Sequence, residues 1–189
     1  MDKPKHLLRG DILAARRKMP AVVRRSAAAA LTEVLLNAPE VIAATTVAAY
    51  VAIGTEPDTT ALLAALRSRG TIVLLPILLP DNDVDWAPYA GDHTLAAAGR
   101  GLREPTGRRL GVDAVRTAAA VLVPALAVDR AGHRLGRGGG SYDRVLARAD
   151  REAFTCALLY DGELRDILPL EPHDCAVRAA ATPSGLTRF

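Results

Sequence analysis

Apolar residues in the first part of the chain recur every three or four positions, which is the spacing of a helix with one buried face. The first set is Leu8, Ile12, Ala15 and Met19. Pro20 interrupts the pattern, which then restarts in Val23, Ala27, Ala30, Leu31, Val34 and Leu35. The chain is therefore predicted to open with a pair of helices.

Two runs of β-branched and apolar residues follow, at positions 45–53 and 71–76. Between these runs, Asp58 or Thr59 is suited to cap the start of a helix, and Gly70 is suited to end it. This part of the sequence predicts a strand, a helix and a second strand.

Two later apolar runs, at residues 117–124 and 155–160, show no alternation with polar positions. Such continuous runs are typical of strands that are covered on both faces. A last strand is predicted at residues 177–182, and the helix between the two apolar runs is marked by Tyr142, Val145, Leu146 and Ala149. Alternating strands and helices predict a three-layer α/β domain with a largely parallel sheet.

Residues 76–107 break this alternation because they are rich in proline, glycine and aspartate. The short stretch 84–87 has the character of a strand. We predict that the remainder forms long loops over one edge of the domain.

The composition agrees with a globular protein, since 50% of the 189 residues are hydrophobic and 24% are charged. This length suits a single domain over residues 1–189. The N-terminal residues carry charges where a signal peptide has an apolar core, and no apolar run approaches the ~20 residues of a membrane span. The two cysteines, Cys156 and Cys175, make no disulfide framework. We expect a cytoplasmic monomer without membrane contact.

The net charge of +3 does not require a nucleic-acid partner, because 21 acidic residues are interspersed among 24 basic ones. The chain has no basic stripe and no aromatic-rich RNA-binding motif. An RNA-binding module that uses the arginines is an alternative, but we expect no nucleic acid among the partners.

The stretch "AVDRAGHRLGRGGGSYDRVLA", residues 127–147, lies between a predicted buried strand and a predicted helix. Its first part, "DRAG", has the spacing of a turn. The next part places glycine at positions 136, 138, 139 and 140, which costs more chain entropy than an ordinary turn requires. Backbone N–H groups without side chains, followed by a helix N-terminus, form a cradle for phosphate. Arg134 and Arg137 would add positive charge.

This glycine-rich segment matches neither common nucleotide motif. No lysine follows the last glycine as in the Walker A pattern, and Ser141 stands where the dinucleotide fingerprint requires glycine. A phosphate site and a flexible surface loop are the two interpretations that remain open.

Two aspartates near this segment are candidate ligands for Mg²⁺. Asp143 falls in the first turn of the predicted helix, where the helix dipole alone also accounts for a carboxylate. Asp174 lies in a loop before the last strand, where a solvated carboxylate is equally ordinary.

Several motifs occur in a fixed order along nearly the whole chain. They are "KHLLR" at residues 5–9, Glu56 and Thr59 in an E-x-x-T segment, the pair Glu104 and Pro105, "VPALAVDRAGHRLGRGGGSYDRVL" at residues 123–146, "EPHD" at residues 171–174, and Thr182. Together they resemble the 5-formyltetrahydrofolate cyclo-ligase family, also called methenyltetrahydrofolate synthetases. The resemblance implies a Rossmann-like three-layer α/β domain.

The resemblance also implies an activity, the conversion of 5-formyltetrahydrofolate into 5,10-methenyltetrahydrofolate with ATP and Mg²⁺, releasing ADP and phosphate. Phosphorylation of the formyl oxygen supplies a good leaving group. The 10-nitrogen then closes the ring, a step that is favoured when binding holds it near the activated carbon.

The resemblance assigns roles to particular residues. The metal ligands would be Asp143 and Asp174, and the substrate-binding residues would be Glu56, Trp86 and Arg137, of which Arg137 is also catalytic together with Tyr142. The ATP-binding residues would be Lys5, Arg9, Arg134, Gly136, Arg137, Gly138, Gly139, Gly140, Ser141 and Tyr142. Apart from the resemblance, Tyr142 is equally suited to packing in the core, and a solitary tryptophan such as Trp86 is more often a packing residue.

Two positions depart from the family pattern. Ser141 stands where the family commonly has the first residue of a tyrosine pair, and Val128 stands where it has an aromatic residue. These departures leave a second hypothesis open, in which the protein binds a nucleotide or phosphate without turning over folate.

Overall fold

The computed structural model describes residues 4–189, and helices and strands alternate along this part of the chain. The helices are α1 (Lys5–Lys18), α2 (Ala21–Leu36), α3 (Pro39–Ala43), α4 (Thr60–Ser68) and α5 (Ser141–Arg148). The strands are β1 (Thr46–Ala48), β2 (Ile72–Leu78), β3 (Val84–Pro88), β4 (Leu95–Ala97), β5 (Arg103–Pro105), β6 (Ala120–Pro124), β7 (Ala127–Asp129), β8 (Arg134–Leu135), β9 (Phe154–Leu158), β10 (Leu164–Arg165), β11 (Ala179–Thr182) and β12 (Gly185–Arg188).

Within residues 4–189, seven strands form the central sheet in the order β12-β11-β9-β6-β1-β2-β3. Neighbouring strands from β11 to β2 pair in parallel, whereas β3 and β12 pair antiparallel at the two edges. The prediction of a largely parallel sheet is confirmed.

Helices cover both faces of this sheet. On one face, Leu31 and Leu35 of α2 pack with Leu62 and Leu66 of α4 over the buried strand residues. On the other face, Val145 of α5 packs with a second set of strand residues. Because both faces are covered, the inner strands β6 and β9 are almost entirely buried, and the predicted three-layer architecture is confirmed.

The N-terminal helical pair is also confirmed, and its two helices take different positions. Helix α2 belongs to the layer just described, whereas α1 packs separately through Ile12 against Leu126 and Leu135. The buried guanidinium of Arg16 donates to both carboxylate oxygens of Glu163, each at 2.7 Å, and to the carbonyl oxygen of Ala125. These contacts hold α1 beside the carboxyl end of β6.

The strand predicted at residues 45–53 is shorter in the structure, since β1 ends at Ala48. Beyond it, side chains replace the sheet as hydrogen-bond partners of the backbone. The hydroxyl of Thr59 donates to the carbonyl of Tyr50 at 2.7 Å, and the N–H of Ile53 donates to Glu56 at 2.9 Å. At the start of α4, the Asp58 carboxylate accepts a hydrogen bond from the N–H of Thr60. The Thr59 hydroxyl instead bonds the carbonyl of Tyr50 upstream.

The prediction for residues 76–107 is correct for the strand at 84–87 and incomplete for the remainder. Strand β3 lies there, but β4 and β5 also form an antiparallel hairpin that the sequence did not indicate. Each strand of this hairpin has only three residues, too few for a period-two pattern to be recognised.

The predicted "DRAG" turn is present, with the N–H of Gly132 donating to the carbonyl of Asp129 at 3.0 Å. It joins β7 to β8, and these strands form a small sheet with β10. Among residues 4–189, no helix is long and apolar enough to cross a membrane.

Candidate active site

The strand order reverses at the boundary between β1 and β6. From β1 the chain crosses through α4 to β2 on one side, and it later returns to β6 on the other side. Such a switch point leaves a crevice outside the carboxyl ends of the two strands, where α/β sheets bind ligands. A cavity of about 400 Å³ lies at this position.

The glycine-rich segment lies along one wall of this cavity. Gly138 and Gly140 have left-handed backbones, with φ of 98° and 71°. A Cβ atom on Gly138 would stand 3.4 Å from the guanidinium of Arg9, whose Nε donates to the carbonyl of Gly136 at 2.8 Å. Close approach of Arg9 and positive φ therefore both favour glycine here, and the backbone is open to the cavity.

Three candidate cations each contact a candidate carboxylate across the cavity. Lys5 Nζ lies 2.6 Å from Asp174 and 3.0 Å from Glu171. Two further ion pairs join Arg134 to Asp143 at 2.8 Å and Arg137 to Glu56 at 3.0 Å. All of these residues except Glu171 were expected from the family resemblance to bind phosphate, metal or substrate. The structure joins the cations and carboxylates in pairs.

The two predicted metal ligands lie on the same side of the cavity. Asp143 Oδ1 is 3.5 Å from the backbone nitrogen of Cys175, the residue that follows Asp174. Burial opposes ionisation of Asp174, but hydrogen bonds from Lys5 and from the Glu171 backbone outweigh it, so the pKa of Asp174 is lowered. Asp174 is therefore favoured as an anionic ligand, and Asp143 lies close enough to its loop to share a ligand with it.

Sequence reasoning missed Glu171 and His173 as members of this cluster. With Asp174 they offer ligand atoms that all lie within 4.8 Å of one another. The signal was the "EPHD" motif itself, in which three potential ligands occur within four residues. The carboxylate oxygens of Glu171 and Asp174 suit Mg²⁺, which takes few protein ligands beside phosphate and water, whereas the imidazole nitrogen of His173 is a poorer ligand for it.

Glu56 lies deep in the cavity with only 9% of its surface exposed. Its carboxylate accepts hydrogen bonds from the Ile53 backbone and from Arg137. Burial raises its pKa, and these hydrogen bonds offset only part of that effect. A buried acceptor with a raised pKa is typical of a functional carboxylate.

Arg134, which lines the cavity, has one hydrogen-bond donor without a partner. Arg134 is 6% exposed, and its Nε has no hydrogen-bond partner among the described residues. A buried guanidinium N–H without a partner is costly, so a ligand anion beside the glycine-rich segment would complete its hydrogen bonding. The donor set therefore fits a phosphate.

Tyr142 and Ser141 both line the cavity at the start of α5. Burial raises the pKa of Tyr142 well above its ordinary value. Its phenol stays protonated near neutral pH, so it is suited to donate a hydrogen bond and not to act as a base. Its ring also packs against the core on both sides, as its position in the helical stripe predicted.

Trp86 is the predicted site residue that the structure does not bring to the cavity. Its side chain is 1% exposed and packs in the core with Val84 and Leu74. The apolar wall of the cavity is formed by neighbours of Trp86 instead: Pro76, Leu78, Val84 and Leu102. Tyr50, which the sequence did not single out, also lines the cavity.

The fold and the site define a class of protein: an α/β domain with a cavity at the point where the strand order reverses. A glycine-rich anion cradle and a carboxylate cluster both line this cavity. The sequence profile of the 5-formyltetrahydrofolate cyclo-ligase family matches residues 1–183. The chain belongs to this family.

Two relatives illustrate the extent of the similarity. The 5-formyltetrahydrofolate cyclo-ligase of Mycolicibacterium smegmatis is 43% identical over 186 residues, which cover 96% of this chain and 94% of that protein. The protein of the same name from Escherichia coli strain K12 is 30% identical over 153 residues, covering 79% of this chain and 84% of that protein.

Solved structures agree with the fold. The 5,10-methenyltetrahydrofolate synthetase of Aquifex aeolicus superposes with a TM-score of 0.84 at 26% identity, covering 97% of this chain and 92% of that chain. The synthetase of Mycoplasma pneumoniae has a TM-score of 0.76 at 18% identity, covering 96% and 99% of the two chains, and supports the fold alone.

Proposed function

We propose that the protein cyclises 5-formyltetrahydrofolate to 5,10-methenyltetrahydrofolate with ATP and Mg²⁺, releasing ADP and phosphate. The observation that carries this proposal is the single cavity that contains both the glycine-rich cradle and the buried carboxylate of Glu56. A phosphoryl donor on the cradle and a folate beside Glu56 would share one enclosed space.

The nucleotide side of the cavity would be formed by the glycine-rich backbone, with Lys5, Arg9 and Arg134 neutralising the phosphates. Phosphoryl transfer requires mainly positioning and charge stabilisation, which these groups supply. Because Lys5 and Arg134 are paired with carboxylates in the structure, we infer that they exchange those partners for phosphate oxygens.

The same exchange would release Asp143 and Asp174 for the metal. A bound Mg²⁺ would draw charge from the terminal phosphate, as in other phosphoryl-transfer enzymes. The two carboxylates, with Glu171 and His173 beside Asp174, would hold it on the side of the cavity where they lie together.

The folate side would be formed by Glu56 and the apolar wall. The Glu56 carboxylate would accept hydrogen bonds from N–H groups of the pterin ring, for which a buried acceptor is well suited. Arg137 stands between the two sides, since it is part of the glycine-rich segment and pairs with Glu56. It would therefore stabilise charge on the transferring phosphoryl group while contacting the substrate.

The chemistry follows from these positions. The formyl oxygen attacks the terminal phosphorus of ATP, and ADP leaves. The 10-nitrogen then attacks the activated carbon, and the former formyl oxygen departs as part of phosphate. The Tyr142 hydroxyl, which stays protonated, would donate a hydrogen bond near the reacting oxygen. We retain the expectations of a monomeric cytoplasmic enzyme without a nucleic-acid partner as part of this proposal.

Absorbance of the methenyl product tests the proposal directly. The purified protein is expected to form it from 5-formyltetrahydrofolate only when ATP and Mg²⁺ are both present. Folded protein that forms no ATP-dependent product would reject the assignment. If it nevertheless bound ATP tightly in calorimetry, the second hypothesis, a nucleotide-binding protein without folate turnover, would replace it.

A further inference from the structure

Arg100, which lines the cavity, and Asn82 share an unusual backbone conformation. Among residues 4–189, the non-glycine residues with positive φ are Asn82, at 64°, and Arg100, at 61°. Their side chains bond to each other, with Arg100 Nη1 donating to Asn82 Oδ1 at 2.9 Å. Left-handed conformations are unfavourable for residues with a side chain, and they persist mainly where function requires them.

Arg100 occupies the turn of the β4–β5 hairpin, and it lines the same cavity as the glycine-rich segment. Leu102, the next residue but one, contributes to the apolar wall. The hairpin thus carries a cation at its turn, beside a surface suited to an aromatic ring.

Among the described residues, Arg100 forms no ion pair with a carboxylate, and its side chain bonds the neutral amide of Asn82. Its neighbours are already engaged. Arg103 pairs with Asp92 at 3.0 Å, and the Glu104 carboxylate accepts from the N–H of Leu78 at 2.9 Å. Arg100 therefore differs from Lys5, Arg134 and Arg137, which each have a carboxylate partner.

The substrate of the proposed reaction has three parts that match the buried carboxylate, the apolar wall and the cation of this cavity. A reduced folate consists of a polar pterin, an apolar aminobenzoyl ring and a glutamate tail with free carboxylates. With the pterin at Glu56 and the ring against the apolar wall, to which Leu102 of the hairpin contributes, the tail would lie toward the hairpin and Arg100. Guanidinium and carboxylate form strong paired hydrogen bonds.

We propose that Arg100 binds a carboxylate of the substrate's glutamate tail and thereby sets the preference for folates over tail-less pterins. This inference rests on the proposed function, since it assumes that a reduced folate occupies the cavity. Arg100 lines the cavity, and its hydrogen bond to Asn82 holds the guanidinium there.

The test compares two substrates, 5-formyltetrahydrofolate and 5-formyltetrahydropteroate, which lacks the glutamate. For Arg100→Gln we expect KM for the folate to rise about tenfold, the size of one charged hydrogen bond. The KM for the pteroate should change less than twofold, because the contact that the variant loses does not exist there. Arg100→Lys should restore part of the preference.

Arg109→Gln is the matched control, because Arg109 is an exposed arginine that does not line the cavity. It should leave KM for both substrates at the wild-type value. Arg100→Gly, which suits the left-handed backbone, separates a folding defect from lost recognition: it should keep the melting temperature of the wild type and lose the preference.

Equilibrium binding of the two ligands, followed by protein fluorescence, separates this inference from the proposed function. Wild-type protein that prefers the folate, together with an Arg100→Gln variant that does not, supports it. Equal losses on both ligands, or no loss on either, would overturn the role of Arg100 alone. Wild-type protein that binds neither ligand would overturn the proposed function as well.

Discussion

At the scale of single residues, the cavity is organised as opposite charges that neutralise one another. Lys5 meets Asp174, Arg134 meets Asp143 and Arg137 meets Glu56. Two of these pairs join distant parts of the sequence, 169 positions apart for Lys5 and Asp174 and 81 for Arg137 and Glu56, whereas Arg134 and Asp143 are nine positions apart. The sequence could therefore identify the candidates through their motifs, but it could not indicate which cation pairs with which carboxylate.

Lys5→Met should change ATP binding and metal binding in opposite directions, because Lys5 would bind phosphate and is paired with Asp174 and Glu171. Losing a charged hydrogen bond to phosphate should weaken ATP binding by about 10- to 100-fold in calorimetry. The carboxylates of Asp174 and Glu171 would at the same time lose their cation, so nucleotide-free protein should bind Mn²⁺ more tightly in an electron-spin resonance titration. Lys18→Met, on the exposed end of the same helix, is the control. Unchanged ATP affinity in the Lys5 variant would contradict the phosphate role.

Glu56→Gln should change stability in a pH-dependent way. Burial raises the folded-state pKa of Glu56 above its unfolded value, so its favourable contribution to stability is present at low pH and is lost as the pH rises through the folded pKa. Glutamine has no such ionisation and keeps an oxygen for the Ile53 N–H. The variant should therefore gain stability relative to wild type in urea unfolding as the pH rises above about 4, while kcat/KM falls. A pH-independent difference would contradict this.

At the scale of elements, the glycine-rich segment and α1 form one unit. Arg9 of α1 bonds the Gly136 carbonyl, and Arg16 anchors the same helix through Glu163. The helical period predicted α1, and the glycine spacing predicted the cradle. That α1 covers the cradle depends on tertiary contacts, which no local pattern encodes.

Gly138→Ala should disturb this unit, and Gly139→Ala should not. Gly138 has a φ of 98° and Arg9 within 3.4 Å of a new Cβ, whereas a Cβ on Gly139 would lie 3.7 Å from Ser141 Oγ in ordinary contact. We expect Gly138→Ala to lower the free energy of unfolding by about 1–2 kcal/mol and to weaken ATP binding. Urea unfolding and calorimetry of both variants provide the check, and equal effects would argue against a special backbone at Gly138.

Elements without a strong local pattern were the ones that the sequence did not predict. Strand β1 ends early because Thr59 and Glu56 bond the following backbone, and this is a contact between side chain and backbone that hydrophobicity does not reveal. The β4–β5 hairpin was not predicted because each of its strands has only three residues, too few to show an alternating pattern. The substrate contact of Trp86 was an expectation from the family resemblance, and the structure places its side chain in the core with Val84 and Leu74.

At the scale of the whole molecule, the topology brings the functional parts together. The alternating pattern of strands and helices was enough to predict the layers and the parallel sheet, because these follow from burial on both faces. The order of strands was not predictable in the same way. It places the ends of β1 and β6 side by side, and so brings Glu56 to the glycine-rich segment.

Isotope transfer tests most directly whether this shared cavity passes a phosphoryl group to the formyl oxygen. The substrate is 5-formyltetrahydrofolate labelled with ¹⁸O in the formyl group, and the phosphate released with ATP and Mg²⁺ is examined by ³¹P NMR. One labelled oxygen in each phosphate, formed in step with methenyl product, is the predicted result. Product formed with unlabelled phosphate would contradict transfer to the formyl oxygen.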